Sequence, residues 1–492
     1  MSNPIYALVL GIIVVALLTV SVSQLRKVKT KADYLVAGRS LPAYVLVATL
    51  LSSWIGAGSL FAGAENAFRN GFAALWQPAG GWIGLLVIYF VAPRARKFAQ
   101  YTIPDLLETR YNVTARVLGT IAILFAYTAI TSYQFRAGGN ILHLIFPEVN
   151  HEIGTYIIAV FVIAFTALAG MASVAYMDVV IGVLITVTGF IAAPVLLHRA
   201  GGWAGLHQVL PATHFTFLGE FGYVGGVDHG TTAGLLKAFE YFLPTCLLML
   251  GNQSMYQKFF SAKSEKDASR AVAGWVVGTF ILETLIVAIA VFGSSMVWVA
   301  YHQHQVDLEP HNIIPYSALH ALPTAVGALL MGAVFAKVIS TANNYLFSPA
   351  TNLINDIYTR FINKQATNKN IIIVSRVLVC ALGAWALVQA VHLTSVLEKA
   401  MYAYTIYSAA ITPVVLAAFF WKRVTAAAAV ASIGLGTAVT VFWDLGKNLL
   451  PSALAQRDAI FPALVVSLVS LVLVSMVTPA PTEEQLAPFA TE

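Results

Sequence analysis

Seven ionisable side chains stand inside long apolar stretches of this 492-residue chain. A charge in the hydrocarbon of a bilayer costs several kcal/mol, so such a residue needs a charged partner, a water-filled cavity or a function. Groups of this kind can bind an ion, carry a proton or hold a charged solute. They are Glu65, Arg136, Asp178, Lys237, Glu240, Glu283 and Lys337.

Some of these seven residues have structural explanations. Glu65 and Lys237 lie near the ends of their apolar stretches, and a long lysine side chain there can extend to the lipid headgroups. Glu283 lies deeper, and we expect it to form a hydrogen bond with a neighbouring helix. The stronger candidates for binding are therefore Arg136, Asp178, Glu240 and Lys337.

Two apolar stretches are interrupted by small and polar residues near their middle. Irregular backbone at membrane depth is tolerated only where it lines a cavity or is buried in protein. A pair of interruptions in two halves of a chain is typical of an inverted-repeat transporter with a central binding site, although small residues also let helices pack closely. The interruptions are Ser52-Ser53-Trp54-Ile55-Gly56-Ala57-Gly58-Ser59, and Pro244 followed by Gly251-Asn252-Gln253-Ser254.

Thirteen apolar stretches are the elements that must position these residues. A helix of about 20 residues spans a bilayer core of about 30 Å. Because 59% of the residues are apolar and only 10% are charged, no soluble fold could cover the apolar surface, and we predict an all-α integral membrane protein. The stretches are 4–23, 42–68, 71–92, 115–144, 152–170, 172–198, 231–256, 271–301, 324–349, 371–392, 394–421, 424–443 and 459–477.

The distribution of Lys and Arg predicts the orientation, because cytoplasmic loops carry most of these residues. With the N-terminus outside, 20 of the 28 lie beyond or near the cytoplasmic ends of the stretches, five lie beyond or near the outer ends, and three lie deeper within the stretches. The basic cluster Arg26, Lys27, Lys29 and Lys31 follows the first stretch and favours a retained span over a signal peptide. We expect a multi-pass protein of the plasma (inner) membrane, embedded in the lipid bilayer, with its C-terminus in the cytoplasm.

The sequence also argues against several classes of protein. It has no Gly-Lys-Ser/Thr phosphate loop, no His-Glu-x-x-His and no Gly-x-Ser-x-Gly, so we expect neither an ATP-driven pump nor an enzyme. The longest polar segments, 199–230 and 302–323, are too short for a second functional domain. Cys246 and Cys380 both lie in apolar runs and form no disulfide scaffold. The net charge of +6 follows from topology, so we expect no binding of nucleic acid. We also expect no organic cofactor and no obligatory protein partner.

Five motifs resemble those of the sodium:solute symporter family, whose members include proline, sugar, choline and monocarboxylate transporters. Together they cover roughly residues 30–425, and their order makes the set more specific than any single motif. They are Asp33-Tyr34-Leu35-Val36-Ala37-Gly38-Arg39, Tyr101-Thr102-Ile103-Pro104-Asp105, Ser173-Val174-Ala175-Tyr176-Met177-Asp178-Val179-Val180, Asn252-Gln253-Ser254-Met255-Tyr256-Gln257-Lys258, and Ser340-Thr341 with Asp356-Ile357-Tyr358.

The resemblance implies a leucine-transporter-like fold in a single membrane domain over residues 1–492. A leading helix, here 4–23, precedes a five-plus-five inverted repeat, here about 42–198 and about 231–421. Two trailing helices, about 424–477, complete the thirteen. Members of the family import small organic solutes by alternating access in symport with sodium, so we expect a secondary active transporter.

The resemblance also implies an ion site. In the family, a sodium ion lies between the broken first core helix and the eighth core helix, bound by backbone carbonyls and two hydroxyls. Here the hydroxyls are those of Ser340 and Thr341, and the carbonyls lie near Ser52 and Ile55. Sodium is a hard cation that prefers such oxygen ligands. The alternative is that both hydroxyls bond to carbonyls of their own helix; the spacing to Asp356 favours ligation.

This chain departs from the family pattern at Lys337, where the family has a small residue. Residues 337, 340 and 341 share one helix face, so the Lys337 ammonium group can reach the ion site. In one hypothesis, a buried pair of Lys337 and Asp178 replaces sodium or competes with it, and transport is proton-coupled or uncoupled, since a buried lysine readily changes its pKa. In the other, Lys337 turns away while its carbonyl still binds sodium.

The implied solute site draws on the first, third, sixth and tenth core helices. Arg136 can bind a carboxylate with two hydrogen bonds, but we favour a structural pair with Glu240. Trp54, in a segment closest to choline-type members, can hold a cation over its ring, which Arg136 nearby would oppose. The candidates for solute binding are Trp54, Ser59, Tyr133, Gln134, Arg136, Glu240 and Tyr404.

Two other functions compete with transport driven by an ion. A membrane solute sensor is one, because similar domains occur fused to signalling modules, although the last 15 residues hold no output domain. A passive channel would need a polar stripe or a charged ring along several helices, and these stretches are mostly apolar.

Overall fold

The computed structural model describes residues 4–25, 29–98, 101–168, 170–224, 226–393, 395–455 and 457–489. These residues are mainly helical, with one antiparallel hairpin of β1 (Tyr223–Val224) and β2 (Val227–Asp228). The α-helices are α1 (Pro4–Leu25), α2 (Lys31–Val36), α3 (Ala43–Trp54), α4 (Ala64–Asn70), α5 (Trp76–Phe98), α6 (Ile103–Arg110), α7 (Val113–Ile145), α8 (His151–Leu168), α9 (Met171–Arg199), α10 (Gly202–Val209), α11 (Gly230–Gly251), α12 (Gln253–Ser261), α13 (Glu265–His302), α14 (Ile313–His320), α15 (Thr324–Asn352), α16 (Asn368–Val391), α17 (Val396–Ala410), α18 (Thr412–Phe420), α19 (Ala426–Leu445), α20 (Ser452–Ala455), α21 (Ile460–Val477) and α22 (Glu483–Leu486). Two π-helical segments, Gly58–Gly63 and Leu353–Ile362, continue α-helices, and short 3₁₀ turns lie at Ala37–Arg39, Gly71–Leu75, Ala212–Phe215, Pro310–Asn312, Lys447–Leu449 and Ala487–Phe489.

Eleven helical runs among the described residues are long and apolar enough to cross a membrane. Two further apolar helices, Pro4–Val20 and Ala43–Trp54, are shorter. Each predicted stretch coincides with one helix or a pair of helices to within two helical turns, so the all-helical prediction is confirmed. Arg26 and Lys27 of the basic cluster, and positions 169 and 394 of two predicted spans, lie outside the described residues.

Both predicted interruptions are present. Helix α3 ends at Trp54, Ile55 is extended (φ −79°, ψ 103°), and the chain continues through Gly58–Gly63 into α4. Helix α11 ends at Gly251, and Asn252 is extended (φ −71°, ψ 113°) before α12 begins.

The structure differs from the prediction at Pro244 and in the stretch 394–421. Pro244 lies inside α11 and does not interrupt it, because surrounding helices accommodate a proline within a membrane helix. The stretch 394–421, taken as continuous, is divided at Ile411 into α17 and α18. The break between α11 and α12 contacts the break at Ile411, since a Cβ added to Gly251 would lie 2.4 Å from Thr412 Oγ1.

Short polar residues begin the helices at one end of the bundle. The side chains of Thr102, Asn112 and Ser264 accept hydrogen bonds from backbone N–H groups in the first turns of α6, α7 and α13. Such caps satisfy N–H groups that have no partner within the helix. Thr102 also donates to Asp356 Oδ1 at 2.8 Å, which ties the start of α6 to the segment after α15.

The segments 199–230 and 302–323 are more structured than the polar loops that the sequence predicts. The first contains α10 and the hairpin, and the second contains α14. Helix α14 packs tightly on α13, since a Cβ on Gly293 would lie 2.2 Å from Ser317 Oγ. Helices of eight residues carry too few apolar repeats for their periodicity to be recognised.

Helix α15 contains the longest unbroken run of buried residues in the described part of the chain. Every residue from Leu330 to Asn352 is buried, and the helix packs against α3, α7 and α9. A membrane helix surrounded on all sides can carry polar groups only where neighbouring helices supply partners. Side chains in the middle of α15 therefore meet the break after α3 and the polar groups of α9.

Candidate ion and solute sites

The break after α3 lies against the middle of α15. Thr341 Oγ1 lies 2.9 Å from the carbonyl oxygen of Ser52 and 3.2 Å from that of Ile55. The hydroxyl and the two carbonyls form a small cluster of oxygens, of the kind that a hard cation prefers. The structure thus brings three of the predicted ion-site groups together, and ligation itself stays a prediction.

Ser340 contacts the other side of the same site. Its hydroxyl donates to the carboxylate of Asp178 and lies 3.2 Å from Ser52 Oγ. Thr49 donates to the second carboxylate oxygen of Asp178. These four side chains are fully buried. The hydroxyls of Ser340 and Thr341 therefore point to other helices and not back to carbonyls of their own helix.

Lys337 extends from α15 into this site. Its Nζ donates to Ser52 Oγ at 2.9 Å, and the side chain is 0% exposed. The hypothesis in which the side chain turns away is wrong, because Lys337 shares the helix face of Ser340 and Thr341 and the hydroxyl of Ser52 is within its reach. An amine thus lies at the edge of the oxygen cluster.

The predicted direct pair of Lys337 and Asp178 is also not formed. In the described part of the chain, no carboxylate oxygen lies within 4.0 Å of Lys337 Nζ. The hydroxyls of Ser52 and Ser340 fill the space between the two groups and link them by hydrogen bonds. Lys337 and Asp178 are thus connected through the hydrogen-bonded hydroxyls of Ser52 and Ser340.

A second buried lysine, Lys258, approaches Asp178 from α12. Its Nζ donates to Ser254 Oγ and to Asn344 Oδ1, each at 2.9 Å, and the side chain is 0% exposed. Asn344 Nδ2 in turn lies 3.5 Å from Asp178 Oδ2. One buried carboxylate is therefore accompanied by two lysines.

Gly56 allows the break after α3 to approach α15. A Cβ at this position would lie 2.5 Å from both Oγ1 and Cγ2 of Thr341. We expect Gly56→Ala to separate the two elements, to lower the free energy of unfolding by about 1–3 kcal/mol, and to abolish most solute uptake. Thermal unfolding and uptake into liposomes measure both effects.

Gly182→Ala is the matched control for this substitution. A Cβ on Gly182, which also lies in a membrane helix, would meet only Ala48 Cβ at 4.0 Å. This variant is expected to keep its stability and uptake. Equal behaviour of the two variants would contradict the role assigned to Gly56.

A small cavity beside the break is lined by Trp54, Ser59 and Tyr404, three of the predicted solute-binding residues. The rings of Trp54 and Tyr404 stack with centroids 6.3 Å apart and planes at 27°. The cavity has about 10 Å³ of space, which is about the room that one water molecule needs. A solute would therefore enter only if these side chains move.

Tyr133 and Gln134 support the wall of this cavity. Gln134 Oε1 accepts a hydrogen bond from the N–H of Ala57 at 2.9 Å, inside the break. A Cβ on Gly58 would lie 3.4 Å from Tyr133 Oη and 2.3 Å from Tyr404 Oη. Both residues thus hold or flank the broken segment, and their contact with a solute stays a prediction.

The predicted pair of Arg136 and Glu240 is wrong. Glu240 Oε2 accepts from Lys237 Nζ at 2.7 Å, and its Oε1 lies 3.5 Å from Arg457. Lys237 precedes Glu240 by one helical turn and is its nearest cation, so the carboxylate is already paired. Neither Arg136 nor Glu240 lines the small cavity.

An open, charged vestibule of about 790 Å³ lies at the end of the bundle that carries Glu240. Glu309 belongs to it, and a hydrogen bond from His311, aided by the charge of Arg136, lowers the pKa of this carboxyl. Burial, aided by the charge of Glu240, raises the pKa of the nearby Asp458. Arg136 thus influences Glu309 and does not line the small cavity.

The opposite end of α7 carries an arginine network, formed by Asp105, Glu108, Arg116, Asp356 and Arg360. Arg116 is 5% exposed, forms ion pairs with Asp105 and Glu108, and places Nε 3.5 Å from Asp356 Oδ1. Arg360 pairs with Glu108. The network joins α6, α7 and the segment Leu353–Ile362.

Two residues of these sites were not predicted. Glu283 lines the small cavity, although the sequence suggested only a hydrogen bond between helices. Lys258 bonds to Asn344, which in turn contacts Asp178, although Lys258 follows the end of the predicted stretch 231–256. The available signals were the depth of Glu283 within its apolar stretch and the place of Lys258 at the end of the motif that starts at Asn252.

Comparison with known proteins shows the family and the fold of the chain. A model of the sodium:solute symporter family matches residues 34–436. The osmoregulated proline transporter OpuE of Bacillus subtilis (strain 168) is 24% identical over 498 residues, covering 96% of this chain and 95% of the relative. A sodium/proline symporter of Staphylococcus aureus is 27% identical over 479 residues, covering 92% and 88%.

A solved structure of a Na+-coupled sialic acid symporter, in a substrate-bound outward-open state, has the same fold. It superposes with a TM-score of 0.80 at 15% identity and covers 97% of this chain and 99% of the other. An all-helical membrane transporter fold is thereby confirmed.

Proposed function

The chain belongs to the sodium:solute symporter family, and we propose that in this secondary active transporter the Lys337 amine takes the place of the family's coupling sodium ion. Transport of the small organic solute is then proton-coupled or independent of any ion. The observation that carries this proposal is the hydrogen bond of 2.9 Å from Lys337 Nζ to Ser52 Oγ at the edge of the expected ion site.

The local charges support this proposal. Two lysines, Lys337 and Lys258, already accompany the single carboxylate of Asp178. All three side chains are 0% exposed, and an excess of one sign of charge is unfavourable where water does not screen it. A sodium ion would add a third positive charge unless a lysine released its proton.

Sodium-coupled symport, the function expected first from the family, is the second candidate for this chain, and a different observation favours it. The carbonyls of Ser52 and Ile55 already meet the hydroxyl of Thr341, and these are the oxygens expected to bind the ion. Sodium is the coupling ion of the family, so a sodium ion at this cluster would keep the usual mechanism.

Uptake into liposomes distinguishes the candidates. The purified protein is tested with radiolabelled L-proline, because two relatives are named as proline transporters. Uptake is measured with an inward sodium gradient, with potassium replacing sodium, and with an inward proton gradient in potassium. We expect uptake to persist without sodium; strict sodium dependence would support the second candidate, and binding without flux would indicate a sensor.

The arrangement in the membrane is also a proposal. We propose one domain with thirteen spans, in which 4–23 leads, about 42–198 and about 231–421 form the inverted repeats, and about 424–477 trails. The N-terminus lies outside and the C-terminus in the cytoplasm of a plasma (inner) membrane protein. The excess of Lys and Arg on one side supports this orientation, which makes the vestibule the outer entrance and places the arginine network on the inner side.

A further inference from the structure

Glu283 places a carboxylate in the small cavity beside the break. The residue lies on α13, is 4% exposed, and accepts a hydrogen bond from Ser59 Oγ at 2.7 Å. Among the described residues that line the cavity, it is the only acidic or basic one. In the described part of the chain it also has no cation within 4.0 Å. A buried carboxylate without a nearby cation is costly, so this position favours a positively charged ligand.

Other oxygens of the cavity wall also present free lone pairs. Gln77 Oε1 is buried and accepts no hydrogen bond from the described residues. Thr245 Oγ1 gives its hydrogen to the carbonyl of Tyr241, at 2.8 Å, and Ser59 gives its hydrogen to Glu283. Three side-chain oxygens are thus available beside the carboxylate to accept hydrogen bonds from an N–H donor.

The aromatic side of the cavity suits the same charge. Trp54 and Tyr404 stack in its wall, and the faces of such rings attract cations. Arg136, the residue expected to repel a cation from Trp54, is absent from the residues that line the cavity. The wall therefore combines a carboxylate, free oxygens and aromatic faces.

We infer that the transported solute carries a protonated nitrogen and that the Glu283 carboxylate binds it. The solute class is a small amine or amino acid whose nitrogen donates to Glu283 and whose apolar part lies against Trp54 and Tyr404. This inference rests on the proposed use of the cavity as the solute site. Sugars and simple carboxylates lack the group that Glu283 requires.

Three probes with the same five-membered ring test the inference. L-Proline has a protonated nitrogen and a carboxylate, pyrrolidine has only the nitrogen, and cyclopentanecarboxylate has only the carboxylate. Binding to the purified full-length protein is measured by calorimetry and by the shift in melting temperature. We expect proline and pyrrolidine to bind, and cyclopentanecarboxylate to bind at least about tenfold more weakly than proline, as loss of a charge-assisted hydrogen bond predicts.

Glu283→Gln tests the residue itself. Glutamine has the same shape and can keep the hydrogen bond to Ser59, so the variant should fold. We expect the Kd of pyrrolidine to rise at least about tenfold. Glu65→Gln, which removes a buried carboxylate outside the cavity, should leave the Kd unchanged. The inference is overturned if Glu283→Gln does not weaken binding, if cyclopentanecarboxylate binds as tightly as proline, or if neither nitrogen probe binds the natural chain.

The choice of salt distinguishes failure of this inference from failure of the proposed role of Lys337 in coupling. All titrations are done both in sodium chloride and in potassium chloride. Preference for the nitrogen probes in either salt supports the role of Glu283, whereas a requirement for sodium would contradict only the proposed role of Lys337.

Discussion

Lys337→Ala is expected to create a saturable response to sodium that the natural chain lacks. Removal of the lysine leaves space beside Ser52, Ser340 and Thr341 and takes one positive charge away from Asp178. Without sodium, we expect a loss of about 1–3 kcal/mol in the free energy of unfolding, because Ser52 Oγ loses its hydrogen bond from the lysine and a cavity is left. Sodium bound by the freed oxygens should restore much of this loss.

Melting temperatures in increasing sodium chloride, with potassium chloride as the ionic control, measure this effect. A ligand at 100 times its Kd stabilises a fold by about 2.7 kcal/mol. Lys337→Met is the matched variant, because it removes the charge while filling the space. It should be destabilised and insensitive to sodium. The proposal fails if sodium stabilises the natural chain as strongly as it stabilises Lys337→Ala.

Arg116→Gln is expected to open the end of the bundle that carries the arginine network. Arg116 is buried between carboxylates of α6 and Asp356, and it holds α6 against α7 and the segment after α15. Its loss leaves Asp105 and Asp356 without their ion pair, at a cost of about 3–5 kcal/mol. In an alternating-access transporter, such a cost shifts the population towards the state that is open at this end.

Hydrogen–deuterium exchange of α6 and solute uptake measure this change. We expect faster exchange of the α6 amides and a loss of most concentrative uptake, since each 1.4 kcal/mol changes a population ratio by about tenfold.

Arg360→Gln is the control for Arg116→Gln. Arg360 also pairs with Glu108, but its side chain is 46% exposed, and exposed pairs contribute only about 0–1 kcal/mol. Similar exchange in both variants would contradict a special role for Arg116.

Much of the architecture could be predicted because it depends on local properties. The length and apolar character of each stretch predict a helix whatever its neighbours are, and the predicted stretches coincide with helices. The breaks near Ile55 and Asn252 could be predicted because glycine and polar residues disfavour a membrane helix locally. The break at Ile411 was missed although Thr412 and Pro413 follow it directly, a local signal because proline has no N–H to continue the helix and is favoured in the first turn of the next one.

Pairings between distant side chains were predicted less well. Asp178, Ser340 and Lys337 were expected together, and they do share a site, but the hydroxyls of Ser52 and Ser340 stand between the charges. The predicted pair of Arg136 with Glu240 was wrong, because Lys237 and Arg457 lie beside the Glu240 carboxylate instead. Side chains that are one or two positions apart on a helix point in different directions. The sequence near a residue does not show which helix lies opposite its side chain.

The sequence by itself determined that this protein is a helical membrane transporter of a known family, and that a lysine stands where the family has a small residue. The helical membrane character follows from composition and spacing, whereas the family, the transport function and the departure at Lys337 follow from the resemblance of the motifs. Only the tertiary structure decided that Lys337 bonds to Ser52, that Lys258 is linked to Asp178 through Asn344, and that Glu283 is the acidic residue of the cavity. Each of these contacts joins helices that are far apart in sequence, and the packing of those helices sets the distance and the partner.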